Sequence, residues 1–204
     1  MSKGLRSWRG EEEYHARARG LRRARAAIML ALALPGSMYL YQGEELGLPE
    51  VADIPADRRQ DPAFFRTGGA EAGRDGSRVP LPWTSSGISL GFGEADPHLP
   101  QPAWFAAYSV QAEEADTRST LSLYRRAVEL RHRLQTAAPL QWLGEHDDFV
   151  AFTRGDRWIS ATNFGTRPLP LPEGTVLLAS ADLAESGVLP PETTVWLHRP
   201  DEHR

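Results

Sequence analysis

The chain has 204 residues, fewer than the about 250 that a complete (β/α)8 barrel takes, yet enough for one good core or two small ones. A formal net charge of −4 gives no general attraction for nucleic acid or an anionic membrane surface, and 41% apolar with 25% charged residues is ordinary for a soluble globular protein. The absence of cysteine excludes a disulfide framework and thiolate metal sites and fits a cytoplasmic location.

Residues 1 to about 15 are polar and without a clean period, and they read as a frayed lead-in to a helix running from about Tyr14 to Leu34. Leu21, Ala24, Ile28 and Leu32 are spaced for one face, and Pro35-Gly36 is a stop. The longest apolar run, Ala26 to Leu34, is far too short to span a bilayer. Met38 to Tyr41 then reads as a short buried strand of the parallel kind. Residues 48 to about 100 are rich in Pro, Gly, Asp and Arg, and so long a loop after a strand belongs to a site more often than to a scaffold.

A short helix is expected within Pro102 to Ala115, and an amphipathic one from Ser119 to about Leu134, with Leu123, Ala127, Leu130 and Leu134 on one face and Ser119 or Thr120 as cap. Beyond Thr136 the pattern changes to short strands: Leu140 to Leu143, Asp148 to Thr153, Arg157 to Asn163, Val176 to Ser180 and Thr193 to Leu197. Arg154-Gly155-Asp156 supplies a tight turn. The organisation expected is therefore a lead-in (1–19), an α/β segment (20–136) and a C-terminal antiparallel β domain (137–204).

Glu44 and Glu45 follow the predicted strand at its carboxyl end, where barrel enzymes gather their active-site residues. Two adjacent carboxylates seldom converge on opposite sides of one bond, so a role as partners for arginine or backbone groups is favoured over a role as reacting acids. Arg74, Asp75 and Arg78 form a second polar group. A guanidinium fork can hold a carboxylate or several sugar hydroxyls, although a solvated turn with local ion pairs is the plainer reading of the spacing. Most tryptophans, Trp158 and Trp196 above all, read as core residues. Arg17, Arg19, Arg22, Arg23 and Arg25 read as a solvated helix face more readily than as a nucleic-acid contact. No Gly-x-Ser-x-Gly elbow, phosphate loop or His-Glu-x-x-His pattern is present.

Four runs of sequence, Leu21 to Ala27, Leu34 to Pro49, Gly73 to Trp83 and Ser119 to Arg125, occur in the order seen in actinobacterial α-glucosidases of glycoside hydrolase family 13. The chain resembles the C-terminal part of that family's oligo-1,6-glucosidase and maltose-glucosidase branch. The resemblance implies an α/β fragment of a (β/α)8 TIM barrel (helix seven, strand eight, the long loop and helix eight) followed by an all-β, sandwich-like domain C. It implies short α-glucosides as substrates of a retaining enzyme; calcium occurs in some branches of the family, but the residues here assemble no metal-ligand set and indicate no cofactor. By the same resemblance Arg78, with Arg74 more peripheral, borders the glucose pocket, and Glu44 and Glu45 are loop carboxylates near it. The family's nucleophile, acid/base and Asn-His-Asp segments belong upstream of barrel helix seven, so no residue here is expected to be catalytic and the chain alone is expected to be inactive. His146-Asp147 echoes the last motif but falls in the sheet domain, and Leu81-Pro82-Trp83 stands where relatives carry Met-Gln-Trp. A single barrel strand cannot close a barrel, so the first helix and strand are expected to leave apolar surface and a sheet edge uncovered, with residues 20–115 partly disordered in the free chain. The competing reading is a non-catalytic carbohydrate-binding module, or one that complements a separately encoded N-terminal barrel fragment.

Overall fold

The computed structural model describes residues 5–155, 158–183 and 185–199, with side chains described outside 5–15 and 144–146. The chain divides into two compact units, one made of residues up to Tyr39 together with Leu123 onward, the other of Leu40–Ser122.

In the first unit, helix α1 (Leu5–Ala33) begins nine residues before the expected start at Tyr14, through a stretch in which the helix formers Leu5, Arg6, Arg9 and Glu11 to Glu13 outnumber the poorer Ser7, Trp8 and Gly10. Its buried face is Ala26, Ile28, Met29, Leu32 and Ala33, whereas Ala24, expected inward, is exposed. The small Ala26 and Ala33 let the helix backbone approach a sheet closely. Thr194 Oγ1 donates to the Ala26 carbonyl at 2.7 Å, and the Trp196 indole donates to that of Met29 at 3.1 Å.

The sheet is antiparallel, in the order β1-β2-β3-β7-β5, from β1 (Leu140–His146), β2 (Phe149–Arg154), β3 (Trp158–Asn163), β5 (Thr175–Ala179) and β7 (Thr193–His198). A two-stranded ribbon of β4 (Leu169–Pro170) and β6 (Val188–Leu189) forms a second sheet that sequence patterning did not reveal. β3 is buried along its whole length, so its two faces serve two cores. On one face Phe152, Trp158, Leu178 and Trp196 pack with α1 and with Leu123, Tyr124, Ala127 and Leu130 of helix α4 (Thr120–Leu134). On the other, Ala151, Ile159, Ala161, Val195 and Leu197 pack with Leu189 of the ribbon. Ser119 is the residue that caps α4, its Oγ accepting from the Ser122 amide at 3.1 Å. Arg19, Arg22 and Arg23 all reach the buried carboxylate of Glu192, which gives the basic helix face a structural partner. Arg157 and Asp156 lie outside the described residues, and His146-Asp147 falls at the β1–β2 turn.

Met38 to Tyr41 is not a buried strand. These residues make no sheet pairing, and Tyr39 is 90% exposed. A strand needs a neighbour to take its N–H and C=O groups, and every ladder among the described residues is antiparallel and lies in the two sheets above.

The second unit is built from turns. Short α2 (Pro62–Arg66) and α3 (Val110–Glu114) alternate with 3-10 turns over Glu44–Leu46, Asp75–Ser77 and Ala103–Tyr108. Val51, Ile54, Val79, Leu99 and Phe105 give this long loop a core of its own. The helix expected within Pro102 to Ala115 is split into a 3-10 segment and α3 at Ser109, whose side chain caps α3.

Candidate functional site

The loop unit is organised by two buried aspartates. Asp61 precedes Pro62 and caps α2, its Oδ1 accepting from the Ala63 amide at 2.8 Å. Its Oδ2 accepts from the Arg74 amide at 2.9 Å and from Nη1 of Arg78 at 3.1 Å. Asp75 returns the contact, its Oδ2 accepting from the amides of Gln60 and Asp61 at 2.8 and 3.0 Å. Residues 60–63 and 73–78 are thereby cross-braced. Gly73 makes the crossing possible: with φ at +69° it has no side chain where a Cβ would lie 2.4 Å from Asp61 Cγ.

Of the residues singled out in the sequence, Arg78 is thus held against Asp61 with its side chain still 47% exposed, leaving guanidinium donors for a ligand. Arg74 contributes its backbone amide to the brace, and its side chain is exposed. Glu45 turns back on its own loop, Oε2 accepting from the Gly43 amide at 2.7 Å. Glu44 has one carboxylate oxygen buried without a hydrogen-bond partner. It lines a cavity of about 190 Å³ together with Tyr41, Glu50, Ser77, Leu81 and Phe105. Tyr41 donates to the Ser77 carbonyl at 3.3 Å across this cavity, which joins the Glu44 turn to the loop that carries Arg78. Gly43 holds the Glu44 turn at φ +93° under Leu81, whose Cδ2 a Cβ would meet at 3.1 Å.

Asp61 was not singled out in the sequence, though the Asp-Pro pair that caps α2 was a local sign of it. Trp158 and Trp196 are core residues, at 3% and 0% exposure, while Trp83 and Trp142 are more than half exposed. No group of three metal-ligating side chains occurs among the described residues, and no described helix is long and apolar enough to cross a membrane.

The hydrogen bonds from the Arg74 and Ala63 amides, reinforced by the Arg78 and Arg74 charges, hold the Asp61 carboxyl below the ordinary aspartate pKa despite its burial. Asp61 is therefore an ionised anchor at neutral pH, not an acid awaiting a proton. Its stabilisation of the loop is complete above the ordinary value, about 3.9, and is lost as pH falls through the lower folded value. The Asp61 side-chain carboxyl carbon signal, followed by NMR during acidification, will titrate with a midpoint below that of a free aspartate. A midpoint at or above it would contradict the brace.

The description "Alpha amylase, catalytic domain" matches residues 8–159, and a domain of unknown function, DUF3459, matches residues 135–196, the span of the antiparallel sheet. A probable alpha-glucosidase of Rhizobium meliloti (strain 1021) is 36% identical over 108 residues, covering 53% of this chain and 19% of the relative. An alpha-glucosidase of Pediococcus pentosaceus is 31% identical over 132 residues, covering 54% of this chain and 24% of the relative. The chain thus spans about a fifth to a quarter of the length of these curated relatives. Among solved structures, an isomaltulose synthase from Klebsiella sp. LX3 superposes with a TM-score of 0.70 at 21% identity, over 87% of this chain and 38% of that one. A trehalulose synthase from Pseudomonas mesoacidophila MX-45 gives 0.71 at 22% identity over the same shares. Long helix, braced loop, capped helix and sheet follow one another through the matched residues, and on that match the chain belongs to the alpha-amylase family of glycoside hydrolases.

Proposed function

We propose that this chain is the C-terminal share of a retaining α-glucosidase that acts on short α-glucosides, and that the reacting carboxylates are supplied by barrel residues outside it. The observation that carries the reading is the Asp61 brace, in which a buried carboxylate fixes a half-exposed arginine. Arg78 would hold sugar hydroxyls there while Asp61 fixes its guanidinium plane, and Arg74 would serve at the periphery. Glu44 and Glu45 shape the neighbouring wall. Retaining chemistry needs a nucleophile and an acid/base about 5 to 5.5 Å apart across the scissile bond. Asp61 and Asp75 are ill suited to either role, since each is already taken up by donors of its own loop. The names of the two α-glucosidase relatives support the substrate class, and the uncovered Met38 to Tyr41 segment supports a strand that pairs only when barrel neighbours flank it. The cysteine-free composition supports a cytoplasmic site of action.

Release of p-nitrophenol from p-nitrophenyl α-D-glucoside tests this reading. Turnover is expected from a chain extended upstream in its reading frame and absent from residues 1–204 alone. Turnover by the 204-residue chain itself would overturn the proposal.

A further inference from the structure

A cavity of about 640 Å³ lies in the sheet-bearing unit, lined by Gly36 beyond the end of α1, Arg131 of α4, Gln135, Thr136 and Pro139 of the connector, and Arg154 at the end of β2. Arg131 and Arg154 are both more than nine-tenths buried. Arg131 donates to the carbonyls of Leu32, Leu34 and Gly36, and Arg154 to those of Ala33 and Thr136 at 3.0 and 2.9 Å. Every one of these partners is neutral, as is the Trp158 ring whose centre lies 5.9 Å from the Arg154 guanidinium carbon. Among the described residues neither guanidinium is paired with a carboxylate, and Arg154 Nε is buried without any acceptor.

Buried charges are ordinarily paired, and the C-terminal end of a helix offers only roughly half a negative charge against two guanidiniums. The positive excess is felt inside the site: burial, and then the charge of Arg131, hold the Arg154 pKa below that of an ordinary arginine. The geometry points to this cavity as a binding site for a small oxyanion of the phosphate class. Two guanidiniums with unused N–H groups suit an anion with three or more oxygens, since one carboxylate has only two oxygens to divide between them. Bound there, the anion would tie the end of α1 to α4 and β2, the junction on which the helix-facing core depends. This role is independent of glycoside hydrolysis, and no residue of the Arg78 loop takes part in it.

The test titrates the unmodified 204-residue chain with inorganic phosphate at constant ionic strength, in the low range where phosphate does not yet act by general exclusion from protein surfaces. The Arg154 Nε–H resonance should shift saturably and the thermal midpoint should rise, whereas acetate at equal concentration should move neither. Arg131→Lys keeps the charge but loses the fork, and should weaken phosphate binding by about tenfold. An Arg154 resonance that stays fixed, that drifts without saturating, or that responds equally to acetate would overturn the assignment, whatever the folding of the variant.

Discussion

Gly73→Ala will open the loop unit. A methyl at this position would sit 2.4 Å from Asp61 Cγ and 2.7 Å from Asp61 Oδ1, and the backbone is held at φ +69°. The left-handed conformation alone costs a residue with a side chain roughly 1–2 kcal/mol. Asp61 cannot simply swing away, because its two oxygens together accept from Ala63, Arg74 and Arg78. Displacing it breaks three part-buried hydrogen bonds, worth about 0.5–1.5 kcal/mol each. The combined loss is therefore about 3 kcal/mol or more, a large part of what holds a small unit together. Amide hydrogen exchange at Ala63 and Arg74, the two backbone amides that Asp61 accepts from, reports it directly, and both should lose protection in Gly73→Ala while the amides of β3 keep theirs. In the upstream-extended enzyme the same substitution should lower kcat/KM alongside Arg78→Ala, because both remove the fixed guanidinium. Unchanged protection at both amides would refute the brace.

Trp196→Ala will destabilise the sheet-bearing unit by about 3–5 kcal/mol. Trp196 is fully buried, packs edge-on against Trp158 at 5.1 Å between ring centres, and donates to the Met29 carbonyl at 3.1 Å. It thus touches sheet and helix at once, and its removal leaves a void that two rigid elements cannot close. Trp196→Phe keeps much of the ring volume but loses the indole donor, so a smaller cost is expected. Urea unfolding followed by far-ultraviolet circular dichroism measures both, and a loss below about 1 kcal/mol for the alanine variant would contradict this packing.

The elements that the sequence made legible are those whose local signals and tertiary setting agree. α4 carries a serine cap and a regular apolar stripe, and Leu123, Ala127 and Leu130 are buried as their spacing predicts. β2, β3 and β7 lie close to their expected positions because β-branched and aromatic residues fill them on both faces. The face of α1 was ambiguous for a physical reason: its second half holds alanines at positions 24, 26, 27, 31 and 33, and only the closeness of the sheet decides which of them go inside. Met38 to Tyr41 has the composition of a strand, but composition supplies no hydrogen-bonding neighbour. The two-residue strands β4 and β6, one containing Pro170, are too short to carry a periodic signal.

The site divides in the same way. Arg74, Asp75 and Arg78 were visible as a polar group within a glycine-bearing loop. Their partner Asp61 lies 17 residues from Arg78 in a loop with no repeat, so nothing in the spacing joins them. The Arg131 and Arg154 pair is still less visible, since each caps carbonyls around the end of α1, 95 or more residues away. Pairings of this kind come from the tertiary fold and leave no local pattern.

On the proposed function, this chain shapes the sugar site of an α-glucosidase but does not supply its reacting groups. A retaining enzyme passes through a covalent glucosyl intermediate, which a fluorinated glucosyl fluoride can trap. The upstream-extended protein should be inactivated by such a reagent, digested, and its labelled peptide identified by mass spectrometry. The label is expected on a carboxylate upstream of residues 1–204. A label on Glu44, Glu45 or Asp75 would contradict it.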